Sequence, residues 1–288
     1  MLPQIAIIAS PRRAESIQGP RTQGVKFRMA KAGSTNLPNA RSAEGRGDGS
    51  IEPVKFAHYL QAKLQGMRER RSGRKTRLKL MVATCQLIDE QLFTDLNVID
   101  ICEHADVAKG TFYLQFETKE DVIYSIFEEY IEFEALTIPR LTPEQEPFER
   151  TRRLIAWYER TFGVNAGLMR NFVRLSDSDT KVAELWRRRN ERIVEPSFVS
   201  YLWDTKLKAG DDGYEFARLA MRSMGGIMDY AMFARHGIHE ASDFTGGVNE
   251  ETLIDLHAIL IFRALTGQNP PATSLSAAVQ NWASSEED

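Results

Sequence analysis

Residues 97–116 read NVIDICEHADVAKGTFYLQF, and their spacing decides the fold. Asn97 followed by Asp100 three positions on resembles a capping box. It opens a short helix that turns Val98, Ile101 and Cys102 inward. A three-residue turn at Ala105, Asp106 and Val107 leads into a second short helix, predicted over 108–115, with Phe112 and Phe116 four positions apart. Two short helices crossing steeply over a shared core of Ile101, Val107, Phe112 and Phe116 make a helix-turn-helix, one member resting on a DNA backbone while the other enters the major groove. Opposite that core the reading predicts exposed Lys109, Thr111, Tyr113 and Gln115. These supply a cation for phosphate or guanine, a hydroxyl and methyl for thymine, an aromatic ring, and an amide able to pair with adenine. Gly110 allows close backbone approach.

Upstream, Leu78, Met81, Val82, Cys85, Ile88 and Leu92 recur at helical spacing and predict an amphipathic helix over 74–91. Residues 68–79 (RERRSGRKTRLK) hold seven basic groups against one acidic group. That composition suits an arm following phosphates or entering a minor groove, with Arg74, Lys75 and Arg77 as its contacts; the bland alternative is a solvated charge run. Residues 1–50 are rich in Gly, Ser, Pro, Asn and Arg without any period and read as disordered. Residues 51–67 could place Phe56, Leu60 and Leu64 on one face of a short helix. Met67 directly precedes the basic run and reads as an alternative start, which would make residues 1–66 a dispensable, disordered extension.

The net charge of −3 over 288 residues hides a division: residues 1–80 carry 17 Lys+Arg against 5 Asp+Glu, and residues 81–288 carry 20 against 35. A basic front and an acidic back fit a chain of which one end meets a polyanion. No run approaches the roughly 20 apolar residues that span a bilayer. The opening MLPQIAII is short and lacks the basic segment of a secretory signal. Cys85 and Cys102 are too few for a disulfide framework or a zinc site and are expected in an apolar core. These features predict a cytoplasmic protein with no membrane partner.

Downstream, Thr118 with Asp121 caps a helix lined by Val122, Ile126, Tyr130 and Ile131, and Thr142, Pro143 and Gln145 predict the start of the next. Helices are predicted at about 145–163, 166–175, 178–208, 212–236 and 249–266, with Pro196 expected to kink or split the third of these. The fold class is therefore all-α, with about nine helices. A small helix-turn-helix domain at 67–134 precedes a larger helical bundle at 140–267 and a loose tail at 268–288.

The run from Arg77 to Glu120 resembles the DNA-binding domain of the TetR family of bacterial transcriptional regulators, in NVIDIC at 97–102, ADVAKGTFYLQF at 105–116 and TKED at 118–121. Leu92, Cys102, Asp106 and Ala108 depart from the family's usual glycine, alanine, glycine and serine. Asp106 can adopt the left-handed conformation of a turn glycine. Ala108 forfeits a side-chain N-cap, worth about 1 kcal/mol, and a possible phosphate contact. The resemblance implies a phosphate contact at Lys119, with Asn97 similarly placed for a backbone contact and Ala108 within the DNA-binding stretch, a homodimer formed through the last two helices, a small-molecule pocket in the larger domain, and no cofactor.

Met221, Met224, Met228 and Met232, with Gly225 and Gly226, occupy one helical sector that is either core or an adaptable interface or pocket surface. Leu253, Leu256 and Leu260 could supply its partner face. Trp157, Tyr158, Phe162, Phe172, Trp186 and Phe198 are candidate pocket residues, joined by Met224 and Met228, and favour an apolar effector. Consecutive Arg187, Arg188 and Arg189 spread around a helix and read as a solvated face. His236, His239, Glu240 and Asp243 resemble a metal set only loosely, within a glycine-bounded loop. They carry the alternative reading of a metal-dependent enzyme; a nonspecific DNA-binding protein is another. The leading expectation is a homodimeric repressor, with no metal and no enzymatic activity, released from a palindromic double-stranded operator by a small apolar ligand.

Overall fold

A computed structural model describes residues 53–67, 72–205, 207–238, 247–277 and 279–280. Its helices are α1 (Phe56–Gln65), α2 (Ser72–Glu90), α3 (Val98–Ala105), α4 (Lys109–Tyr113) and α5 (Lys119–Thr137). They continue with α6 (Pro147–Val164), α7 (Ala166–Ser176), α8 (Thr180–Asp204), α9 (Asp212–Arg235) and α10 (Glu250–Thr266). Ten α-helices and no strand occur among the described residues, so the all-α class holds with one helix more than expected.

Helix α2 packs against α1, α3, α5 and α7, while α6 packs against α10 and α8. The core runs continuously from Phe56, Leu60 and Ile101 through Phe127 and Phe172 to Ile254 and Ala258. Local caps fix most starts. The Asn97 side chain accepts from Ile99 N (2.8 Å) and Asp100 N (3.1 Å), while Asp100 accepts from Asn97 N (2.8 Å). Thr118 and Asp121 form the second box, and Asp179 and Asn249 cap α8 and α10. Asp106 sits at φ 52°, ψ 54°, taking the left-handed conformation that ends α3.

Four expectations need correction. Residues 53–66 are not a disordered extension: Phe56 and Leu60 of α1 are fully buried, and Phe56 meets Tyr130 edge-on with ring centroids 5.2 Å apart. Residues 1–52 lie outside the described residues, as do 68–71 of the basic arm and 281–288 of the tail. Second, the Thr142–Gln145 box closes only a turn, with Thr142 N donating to Gln145 Oε1 at 2.9 Å. Helix α6 starts at Pro147, where a missing N–H costs nothing, and Glu146 caps it by accepting from Glu149 N at 2.9 Å. Third, Pro196 does not split its helix: α8 runs continuously from Thr180 to Asp204, with Leu185, Arg189, Phe198 and Ser200 buried on either side of the proline. Fourth, Arg189 is not part of a solvated face. Only 1% of its side chain is exposed, and its Nε and Nη2 donate to both oxygens of buried Glu134 on α5.

Candidate nucleic-acid interface

Helix α4 is held from below and bare above. Phe112 is fully buried, with its ring 5.7 Å from Phe116 and edge-on to Tyr113 at 5.4 Å. Its outer surface presents Ala108, Lys109, Gly110, Tyr113 (50% exposed) and Leu114 (80% exposed). Thr111 and Gln115 are half-buried. The helical turn of 100° explains this: Lys109 and Tyr113, four apart, share one face, whereas Thr111 and Gln115 fall on its flanks. Ala108 has extended backbone and offers no side-chain cap. Leu114, absent from the sequence expectation, adds an apolar group beside Tyr113.

Around α4, Asn97 is exposed at the start of α3 with its Oδ1 engaged in the cap. Arg74 is exposed and Lys75 half-buried in the first turns of α2. Two other candidates face inward. Arg77 donates from Nη1 to Gln115 O (2.5 Å) and from Nη2 to Ser125 Oγ (2.6 Å), and its guanidinium lies 4.0 Å from the Phe116 ring centroid. Burial lowers its pKa, with Asp121 and Glu128 opposing. Lys119 donates from Nζ to Leu96 O (2.7 Å) and Phe93 O (3.1 Å), so its ammonium ties the turn after α2 to the start of α5. Arg77 thus ties α2 to the end of α4 and to α5, whereas Lys119 ties the turn between α2 and α3 to α5.

Residues 80–126 match the profile of the bacterial regulatory proteins of the tetR family. This segment is therefore a TetR-type DNA-binding domain. Over 120 residues it is 26% identical to the HTH-type transcriptional regulator EthR of Mycobacterium tuberculosis, and equally to EthR of Mycobacterium bovis. The match covers 41% of this chain and 56% of EthR, so the chain spans little more than half the length of these curated relatives. The fold is similar to that of a tetR-family transcriptional regulator from Streptomyces coelicolor, with TM-score 0.51 and 12% identity over 66% of this chain and 79% of that one.

Behind the TetR-type domain, α6, α8, α9 and α10 enclose a cavity of about 520 Å³. Trp157, Tyr158, Trp186, Met224 and Met228 line it as the sequence suggested; Phe162 and Phe172 do not. Phe162 packs against Phe233 and His236, and Phe172 stacks on Phe127 at 3.9 Å with its edge toward Trp186. Phe198 belongs to a separate small cluster with Ala217 and Met221. The methionine stripe is therefore wall and core. The apolar groups that α9 turns outward are Phe216 (69% exposed), Leu219, Ile227 and Tyr230, beside Leu260 of α10.

Sequence reasoning missed the polar wall. Arg189 and Asp229 line the cavity, and Tyr158 donates its hydroxyl to Asp229. Burial pushes the Asp229 carboxyl up, against the opposing pull of Arg189 and of the Tyr158 hydrogen bond. Burial works against the Arg189 cation, but Glu134, Tyr158 and Tyr130 together outweigh it and raise its pKa. It missed Asn171 too. That buried side chain accepts from Phe93 N (2.6 Å) and donates to Ile88 O (3.0 Å), clasping the end of α2 to α7. Such pairings span about 80 positions and leave no local pattern. Of the alternative metal set, His236 packs with its ring tilted against Phe162 while His239, Glu240 and Asp243 lie outside the described residues. His257, isolated in the sequence, shares a buried 2.6 Å hydrogen bond with Glu159.

Proposed function

We propose that this chain is a sequence-specific, homodimeric transcriptional regulator, acting as a repressor released by a small, largely apolar ligand. The observation that carries the reading is the outward face of α4, where Lys109, Gly110, Tyr113 and Leu114 stand clear of a fully buried Phe112. Lys109, Asn97 and Arg74 would meet phosphates or guanine edges, and Tyr113 and Leu114 would lie against base edges and thymine methyls. Ala108, Thr111 and Gln115 complete the contact surface at its margins, with Lys75 on the adjoining helix. Arg77 serves by holding the end of α4, and Lys119 by holding the turn before α3 to α5.

The dimer would form through α9 and α10, whose outward Phe216, Leu219, Ile227, Tyr230 and Leu260 make an apolar face. Ligand in the cavity would act along two connections. Trp186 in the wall touches Phe172, which stacks on Phe127 of α5, and the neighbouring Asn171 holds the end of α2. Arg189 in the same wall grips Glu134 of α5. A shift of α8 would thus move the helices that carry α4, changing the separation of the two reading heads.

Selection of bound duplexes from a random pool tests the reading. It should converge on an inverted repeat whose half-sites lie about one helical turn, ~34 Å, or a multiple apart. Failure to enrich any sequence at fixed salt would favour a nonspecific DNA-binding protein.

A further inference from the structure

The cavity's charges balance except at one carboxylate. Arg189 is matched by Glu134, and Arg150, behind the wall, is matched by Asp204. Arg187 and Arg222, toward the rim, are matched by Glu184 and Glu191. Four arginines thus meet four carboxylates, and Asp229 is left with a neutral phenol, Tyr158, as its donor. Arg189 lies near enough to be felt, but its Nε and Nη2 go to Glu134 and its Nη1 goes to Asn190 Oδ1 at 3.2 Å. Only one oxygen of Asp229 accepts from Tyr158, and the carboxylate is half-buried on the cavity wall beside Met228 and Gly225. The surrounding surface is aromatic and aliphatic: Trp157, Trp186, Met224 and Ile261.

We propose that the cavity takes an amphipathic organic amine, its ammonium paired with the second oxygen of Asp229 and its apolar body laid along Trp157, Trp186 and Met224. This rests on the reading of the cavity as the effector site and names its ligand class. A lone carboxylate in an apolar enclosure is costly, and burial duly pushes its pKa up. A cationic ligand removes that cost and gains a charge-assisted hydrogen bond. A ligand carboxylate would face Asp229 as a like charge. The two buried arginines, Arg189 and Arg150, are already held in pairs with Glu134 and Asp204.

Calorimetric titration of the full-length protein, without DNA, tests this with two matched series. One is phenylbutylamine, phenylbutanol and phenylbutyrate; the other is decylamine, decanol and decanoate. At least one amine should bind, with a preference of about tenfold or more over its alcohol and acid, as befits a charge-assisted contact. Asp229→Asn keeps the shape and the Tyr158 contact, and should reduce that preference to parity. If the variant does not fold, the matched series on the unaltered protein carries the test alone. Absence of binding by both amines, tighter binding of the acids or alcohols, or an undiminished amine preference in a folded Asp229→Asn protein would each overturn the proposal. Selection of DNA by the same preparations is read separately, so absence of an amine preference in the unaltered protein with DNA specificity intact would fail this inference and leave the regulator reading standing.

Discussion

Each of the residues that surround α4 either points at a partner or holds the helix that does, and Arg77 shows how closely the two roles lie in sequence. Its neighbours Arg74 and Lys75 share its charge and its helix, yet Arg77 alone bridges Gln115 O, Ser125 Oγ and the Phe116 ring. A lysine cannot reproduce that planar fork. Arg77→Lys should lower unfolding free energy by about 1.5–3 kcal/mol, the usual worth of hydrogen bonds to a charged group. Denaturant melts check this, and an unchanged midpoint would show that the bracket is idle. At Asp121, the backbone hydrogen bond of Thr118 leads the influences that lower the pKa. The capping contribution is then present above the unfolded carboxylate value and lost as pH falls through the lower folded one. The stability gap between the parent and Asp121→Asn should therefore shrink as pH is taken below about 3.9. A gap that widened on acidification would contradict the assignment. Both capping boxes and the left-handed Asp106 were legible in sequence, because each depends on residues three positions apart or on one residue's own backbone preference. The partners of Lys119 and Arg189 were not. Those cations answer to carbonyls and a carboxylate brought close only by folding.

Among the elements, α7 joins the helix-turn-helix domain directly to the helical bundle. A Cβ at Gly167 would lie 2.5 Å from Asp89 Cα, so α7 touches the backbone of α2 with no side chain between. Asn171, one turn on, fastens the same junction. Gly167→Ala should destabilise the protein by about 1–3 kcal/mol through overpacking, or force the two domains apart. A thermal melt decides the first, and a parental melting temperature would show that the contact is loose. Helix α1 adds a second tie, since Asn165 at the start of α7 accepts from Phe56 N at 2.7 Å. Its faint period, three apolar residues over two turns, marked a possible helix. It could not announce burial, because the surface that covers α1 comes from α2, α5 and the α6–α7 junction. The long helices of the bundle were legible almost to the residue, since amphipathic periods broken by Gly and Asp runs are local signals. Which face of α9 points outward was not. Methionine and the Phe216–Leu219–Ile227–Tyr230 series both recur at helical spacing, and only packing separates wall from interface.

For the molecule as a whole, the uneven charge acquires a location. Most of the described basic charge of residues 1–80 lies in the first turns of α2, near α4, while the acidic remainder holds the rest of the helix-turn-helix domain and the bundle. That acidity disfavours a second, nonspecific DNA contact by the bundle. The outward face of α9 should cover itself against a second copy. Leu219→Glu with Ile227→Glu, both on exposed positions, should reduce the sedimentation mass to that of one 32.7 kDa chain without unfolding it. An unchanged oligomer would place the interface elsewhere.

The central claim is that α4 reads DNA through its outer face. Its most direct test is the affinity of Lys109→Ala and Tyr113→Ala for a selected operator at fixed salt, with melting temperatures recorded alongside. The account predicts a loss of about 1–3 kcal/mol for each, with stability unchanged and specificity relaxed in the Tyr113 variant. Parental affinity and parental specificity in both folded variants would contradict it.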